Sequence, residues 1–299
     1  PGTAIAIGRA FMEAGLPPGV LNIVFGVPSE VSEYLCSSNI PRKLSFTGSV
    51  PVGKHLQKLA AENMIRCTME LGGHSPLMVF NDTDIKKAAQ ISVAGKFRNA
   101  GQVCVSPTRF LVQDDIKDKF TQAVIEETNK IKVGNGLEDD TNMGPLIAER
   151  RIDVMNDFVK DAIDNGANIE MGGNRMNRVG SFFSPTVMTG VDDSSKIMNE
   201  EPFGPLLPID TFKSVDEVID RANRLDFGLA SYAFTNDPKI VDNLRSEIQA
   251  GLLAVNSTVV STPETPFGGI KHSGYGSEGG VEGLEAFLVT RFVSETYNI

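Results

Sequence analysis

The chain contains no tryptophan, four tyrosines, three cysteines and three histidines among 299 residues. Cys36, Cys67 and Cys104 are odd in number and widely spaced, so they form no readable disulfide framework. A reducing, cytoplasmic setting is the default for such usage. His55, His74 and His272 stand at no metal-ligand spacing to one another or to cysteine, so no metal is expected. Basic residues are also in deficit, 28 against 38 acidic, for a net charge of −10. Nucleic acid and anionic membranes are bound through a basic face, which excludes both as general partners. No apolar run approaches the ~20 residues of a membrane span, and no charged n-region or signal h-region follows Pro1. Internal repeats, charge runs and low-complexity stretches are lacking too.

What is present is the composition of a soluble globular chain, 41% hydrophobic and 22% charged. Its length allows one large domain or two ordinary ones. Strand and helix patterns alternate almost throughout. Val20 to Gly26, Lys43 to Thr47, RCTMEL, PLMVF, Arg109 to Gln113, NIEMGG, FFSPTVMTGV, LPIDTF, ASYAFT, LLAVN and the terminal VTRFVSE read as strands. Helices are predicted before Gly15, after Ser29 as N-cap, over 51–63, from Asp84 to Asn99 behind Asp82 or Asp84, over 116–131, 147–165, 215–225, 238–248 and 282–288. Such alternation predicts an α/β fold whose mostly parallel sheet is covered by helices on both faces. The Gly/Pro/Ser-rich segment Ser257 to Gly280 is too long for an ordinary connection and is a candidate functional loop.

Three glycine-rich matches carry different weight. GSVPVGKH follows a strand and opens a helix, but His55 stands where a P-loop needs Ser or Thr for Mg²⁺. A helix start at that place still offers free N–H groups to an anion, so phosphate binding at Gly48 and Ser49 without Mg²⁺ is the better reading. GYGSEG (274–279) fits G-x-G-x-x-G letter for letter, yet follows no predicted strand and leaves no room for a βαβ unit. It reads as a flexible loop before a helix. GNGLEDD is a turn.

Cys104, in FRNAGQVCVSPTRF, sits in a loop after a long helix among small and polar residues. Its neighbourhood suits either a buried small hydrophobe or an accessible nucleophile. Glu70 ends a strand beside Gly72-Gly73, where a carboxylate is either a turn residue or a base at the end of an α/β sheet. Glu200-Glu201 in a Pro/Gly loop is either a solvated turn or a fixed carboxylate for hydroxyls or a metal.

Together these residues resemble the aldehyde dehydrogenase superfamily. The matching pieces are FTGSVPVGK, MELGG, GQVC, EEPFGP and PFGGIKHSGYG, in order and in register, with Glu70 and Cys104 34 residues apart. The resemblance implies a Rossmann-like cofactor domain, an α/β catalytic domain and an oligomerisation strand. It implies NAD or NADP as cofactor, Cys104 as nucleophile and Glu70 as general base. Gly48, Ser49, Val52, Leu71, Gly72, Glu201 and Phe203 would meet the cofactor. Arg98, six residues before Cys104, together with Ser261 and Phe267, would meet the substrate, a small semialdehyde such as succinate semialdehyde. Ser106 stands where some members carry a second, redox-active cysteine, so that regulation is not expected. Residues 1–72 would be the C-terminal part of the cofactor domain and 73–273 the catalytic domain. Residues 274–299 would return to the cofactor domain and add the oligomerisation arm of a homodimer or homotetramer. The match covers only the C-terminal three-fifths or so of a member, so the expectation is a truncated or proteolysed piece that binds cofactor poorly. The rivals are a P-loop nucleotide hydrolase, a CoA-acylating relative, a dehydrogenase of other or broad specificity, and an inactive remnant.

Overall fold

The apolar stretches settle into a seven-stranded sheet in the computed structural model, which describes residues 1–297. In chain order the elements are α1 (Gly2–Glu13), α2 (Pro28–Ser37), β1 (Lys43–Thr47), α3 (Val50–Glu62), β2 (Arg66–Glu70), β3 (Ser75–Val79) and α4 (Ile85–Phe97). There follow β4 (Pro107–Gln113), α5 (Lys117–Thr128), α6 (Arg150–Asp164), β5 (Asn168–Met171), β6 (Thr186–Thr189), β7 (Leu206–Phe212) and α7 (Val215–Asn223). The last are β8 (Phe227–Gly228), β9 (Ala230–Phe234), α8 (Pro238–Glu247), β10 (Leu252–Val255), β11 (Ile270–Lys271), β12 (Gly274–Tyr275) and α9 (Gly280–Glu285).

The large sheet runs β10-β9-β3-β4-β7-β6-β5 and is parallel except for the β5–β6 edge pair. Every residue of β3 and of β9 is buried, as expected of central strands covered on both faces. Phe97 from α4, Phe120 from α5, and Met155 and Phe158 from α6 complete the core. The predicted α/β class is therefore what the chain adopts. Asp84 caps α4 by accepting from the Lys87 N–H (3.2 Å). Among the described residues no helix is long and apolar enough to cross a membrane.

The chain divides into two compact units, Pro1–Leu44 with Lys54–Cys67, and Ser45–Gly53 with everything from Thr68 onward. In the first unit, Gly8 of α1 lies under Ile23 and Leu21, and Asn63 Nδ2 donates to the Cys36 carbonyl (2.8 Å). The second unit holds the seven-stranded sheet and every residue discussed below as a candidate for the site.

Four local expectations are corrected. Helix α2 starts behind Val27, not Ser29, because Pro28 at its first position has a preset φ and no N–H to satisfy. Val20 to Gly26 is not a strand, since no described segment pairs with it. The terminal VTRFVSE likewise pairs with no strand among the described residues, and positions 298–299 of that tail lie outside them. GYGSEG is a loop only in part: Gly274 and Tyr275 form β12, antiparallel to Glu70 and Met69 of β2, while residues 276–279 run irregularly into α9 as expected.

Gly274 is needed there. Its φ is +114°, and a Cβ would meet the Met69 carbonyl oxygen at 1.8 Å. Gly274→Ala is expected to lower unfolding stability by about 2–4 kcal/mol, combining left-handed strain with a backbone clash. Urea unfolding of the two forms measures it, and equal midpoints would contradict the assignment.

Candidate active site

Glu70 closes β2 with its side chain only 2% exposed. Neither carboxylate oxygen has a hydrogen-bond partner among the described residues. Its own carbonyl accepts from the Gly48 N–H (3.0 Å), tying the end of β2 to the start of the turn into α3. Burial first, and the negative charge of Glu278 second, push its pKa from an ordinary 4.5 up to about 8. Phe267 is bridged to Glu278 through paired backbone hydrogen bonds of 2.7 Å each. The loop carrying Phe267 therefore also carries the acid that acts on Glu70.

The chain leaves Glu70 through Leu71, Gly72 and Gly73. A Cβ at Gly72 would meet Glu201 Oε2 at 2.4 Å, and one at Gly73 would meet the Cys104 carbonyl at 2.7 Å. The Gly73 N–H donates to Glu201 Oε1 (3.2 Å). Ser273 Oγ donates to the Gly72 carbonyl (2.8 Å), and its backbone oxygen accepts from the Leu71 N–H (3.0 Å). The two glycines thus let Glu201 and Cys104 press against one stretch of backbone.

Cys104 is set by the end of α4. The helix stops at Phe97, and Asn99, Ala100 and Gly101 follow with φ of 51°, 54° and 71°. Three successive left-handed residues are unusual outside glycine. They place Gly101 where a Cβ would strike the Gly204 carbonyl at 2.2 Å. Cys104 is half-buried. Burial and the negative charges of Glu201 and Glu70 raise its pKa, while the backbone N–H groups of Val105 and of Cys104 itself oppose the rise. Tyr232 of β9 donates to the Val105 carbonyl (2.6 Å) and fixes the loop beyond the thiol.

Glu201 is mainly raised by burial, to about 7; the Gly73 N–H, Lys96 and Arg151 pull the other way. Arg151 of α6 donates to the carbonyls of Pro202 and Phe203 and holds the loop from beyond. Phe203 is half-buried with φ of 43°. Gly48 and the exposed Ser49 precede the first turn of α3. Val52 lies exposed on that turn, and Gly53 packs on Leu71, whose side chain a Cβ would meet at 2.4 Å.

Arg98 and Ser261, singled out separately in the sequence, line one cavity of about 250 Å³ together with Ser106 and Thr258. Cys104 does not line it, but Val105, the next residue, does. The structure thus joins Gly48, Glu70, Leu71, Gly72, Glu201 and Cys104 through shared backbone and charge, and brings Arg98 and Ser261 to a neighbouring hollow. Lys96, Arg151, Tyr232 and Ser273 were not singled out from the sequence. Ser273 lay inside a quoted motif, whereas nothing local marks Tyr232.

The helix start at α3 offers unpaired N–H groups to an anion, and Glu201 retains acceptor capacity for hydroxyls. The absence of a Cβ at Gly48, Gly53 and Gly72 keeps backbone close at hand. These residues fit a ligand with a phosphate and a sugar hydroxyl pair.

Over residues 1–293 the chain matches the model of the aldehyde dehydrogenase family, and it belongs to that family. It is 44% identical to the 4-(hydroxymethyl)benzenesulfonate dehydrogenase of Comamonas testosteroni, over 93% of this chain and 58% of that protein. It is 38% identical to the NADP⁺ succinate-semialdehyde dehydrogenase of Escherichia coli K12, over 98% of this chain and 61% of that one. The crystal structure of succinate-semialdehyde dehydrogenase from Burkholderia pseudomallei superposes with a TM-score of 0.94 at 38% identity, covering 96% of this chain and 59% of that chain. The chain thus spans about three-fifths of the length of the relatives it matches.

The raised pKa of Glu70 has a stability signature. The folded state keeps the proton between pH 4.5 and about 8, where the unfolded state has lost it. The stabilisation is complete below 4.5 and is lost as pH rises to about 8, at about 1.4 kcal/mol per pH unit. Glu70→Gln is expected to flatten the stability curve by that slope across this window and to be the more stable form above pH 8. Denaturant titrations at pH 5, 7 and 9 decide it; parallel curves would place the carboxyl in a wetter setting.

Proposed function

We propose that the protein oxidises an aldehyde to a carboxylic acid with NAD or NADP, through a covalent cysteine adduct. The observation that carries this reading is the arrangement of Cys104 against the Gly73 backbone, with the buried Glu70 and the half-buried Glu201 both acting on its thiol. The Cys104 sulfur attacks the aldehyde carbon, and the thiol proton passes to the aldehyde oxygen as the thiohemiacetal forms. The Cys104 backbone N–H is a donor for the developing oxyanion. A nicotinamide held there would supply the acceptor for the hydride, and the adduct's hydroxyl proton goes to water as Cys104 is left in a thioester. Glu201 would hold the nicotinamide-ribose hydroxyls, with Phe203 beside them. Gly48, Ser49 and the α3 start, flanked by Val52 and backed by Leu71 and Gly72, would receive the diphosphate. Glu70 then takes a proton from water, the hydroxide attacks the thioester carbon, and the acid departs as Cys104 regains its proton.

The favoured substrate is a small ω-carboxy aldehyde such as succinate semialdehyde. Arg98 and Ser261 share a cavity adjoining the residue after Cys104, and a guanidinium with a hydroxyl suits a carboxylate. Phe267 would close the aldehyde's apolar stem. A sulfonated aldehyde is the second reading. It is favoured by the higher identity to the Comamonas enzyme than to the E. coli one. In this reading residues 1–72 belong to the cofactor domain, 73–273 to the catalytic domain, and 274–299 to the oligomer arm of a cytoplasmic homodimer or homotetramer.

The test is NADH and NADPH formation over succinate and glutarate semialdehydes, a sulfonated aldehyde, propanal and benzaldehyde. Cys104→Ala is expected to abolish turnover. Glu70→Gln is expected to slow it by about 10²–10⁴-fold. Arg98→Met is expected to raise KM for anionic substrates by about ten- to a hundredfold, the value of a charged hydrogen bond, and to spare propanal. Turnover that survives Cys104→Ala overturns the mechanism; equal Arg98→Met effects on charged and neutral aldehydes overturn the anion subsite.

A further inference from the structure

The backbone on either side of Glu201 is held by an arginine. Beyond it, Arg151 takes the carbonyls of Pro202 and Phe203. Before it, Arg224 donates through Nη2 to the Met198 carbonyl (2.9 Å) and through Nη1 to Asn199 Oδ1 (2.7 Å). The Asn199 amide is fixed in its turn, donating to the carbonyls of Asp193 and Ser195 (2.8 Å each). Both amide hydrogens are thereby spent, and Oδ1 is left for the guanidinium. A planar fork suits two acceptors at a set spacing. Asn199 closes the turn over residues 192–200 from within. The Arg224 bonds therefore set where the turn lies relative to α7 and not its shape.

The donor opposite Glu201 is held from the same place. Arg109 of β4, 2% exposed, donates through Nε to the His74 carbonyl (3.0 Å), one residue after Gly73. Its Nη1 and Nη2 donate to the carbonyls of Arg221 and Ala222 (2.8 and 2.9 Å), in the last turn of α7. Carbonyls at a helix C-terminus lack partners within the helix and attract cations. Arg221 pins that helix end to Asp210 and the Thr211 carbonyl of β7, and to Asp193. Arg224 is the residue that follows α7. Two routes thus leave one helix end. One runs through Arg109 and His74 to the Gly73 N–H; the other runs through Arg224 and the turn to Glu201. They meet at the Gly73–Glu201 bond, whose 3.2 Å is at the long limit for N–H···O. So long a bond does not draw the carboxylate in; the backbone delivers it.

We propose that Arg224 is a positioning residue, which holds the turn before Glu201 where the carboxylate meets the Gly73 N–H and faces the cofactor's ribose hydroxyls. This rests on the reading of Glu201 as the ribose-binding acid. The Arg224 side chain keeps 31% of its surface exposed, so its replacement opens no cavity in the core.

The experiment measures binding of NAD⁺, NADP⁺ and ADP to the protein by calorimetry, without substrate. Arg224→Met, Glu201→Gln and the double variant are compared with the unaltered chain. ADP has the diphosphate but no nicotinamide ribose, so it reports the remainder of the cofactor site. Arg224→Met is expected to weaken dinucleotide binding about three- to tenfold, part of the value of a charged hydrogen bond, and to leave ADP unchanged. Glu201→Gln is expected to show the same selectivity, and Arg224→Met to add nothing to it, since both act on one contact. Where ADP binds too weakly to measure, the double variant decides. Additive losses in the double variant, or equal weakening of ADP and dinucleotide by Arg224→Met, overturn the assignment. If Arg224→Met binds like the unaltered chain while Glu201→Gln is impaired, Arg224 has no such role although Glu201 keeps its own. If Glu201→Gln binds normally, or the unaltered chain binds neither dinucleotide, the reading of Glu201 falls and this one with it. Circular dichroism checks folding; if Arg224→Met is unfolded, Arg224→Gln is read instead, and unfolding of both assigns the arginine to the fold alone.

Discussion

The site hangs on a close approach of backbone to backbone at Gly72–Gly73. Glu201 takes its hydrogen bond from Gly73 and fills the space a side chain at Gly72 would need. The Cys104 carbonyl lies against Gly73, and Ser273 binds Gly72 from the other direction. Four segments far apart in the chain therefore meet at two residues without side chains. Such a junction tolerates no Cβ, and it fixes Cys104, the two carboxylates and the β12 return relative to one another. The sheet contributes by rigidity: β3 leaves this junction directly into the buried centre of the seven strands.

Meeting in so little space has an electrostatic consequence. Burial disfavours the ionised forms of both carboxylates and of the thiol, and the two carboxylates add their charge against ionisation of the Cys104 thiol. At rest the site holds protons on groups that the chemistry needs without them. The compensating elements are the backbone N–H groups of Cys104 and Val105 and the cations Lys96 and Arg151, all pulling toward the charged forms. A site poised near neutrality can give and take protons at small cost, which suits a reaction that makes a thiolate adduct in one half and activates water in the other.

Much of this was legible in the sequence because it was local. The strand periodicity of PLMVF and ASYAFT, the Asp84 cap and the five short motifs each declare themselves within a few residues. Their order along the chain suffices to class the fold. What was not legible depended on distant partners. Val20 to Gly26 has the pattern of a strand, but a strand needs a neighbour, and none of the described residues supplies one. GYGSEG has the letters of a flexible loop, but its first two residues become a strand because Glu70 and Met69 lie beside them. Tyr232 belongs to an unbroken apolar run, and only the folded chain shows its hydroxyl on the Val105 carbonyl. Nothing in the sequence marks Lys96, because burial is a property of the fold and not of the pattern.

The division between chemistry and selectivity follows from the same geometry. The groups around Cys104 are held by glycine contacts and backbone hydrogen bonds, so few side chains there can change without moving the reacting atoms. The cavity of Arg98, Ser106, Thr258 and Ser261 is built from the end of α4, the Val105–Pro107 stretch that opens β4, and an irregular loop. At Gly95 it is tightly packed: a Cβ there would stand 2.9 Å from the Thr258 hydroxyl. Side chains lining such a hollow can be exchanged while the junction at Gly72–Gly73 stays intact. A family built this way keeps one reaction and varies the aldehyde. In the reading proposed above, the residues that carry the reaction are the ones a sequence displays most clearly, and those that meet the substrate are the ones only a structure collects.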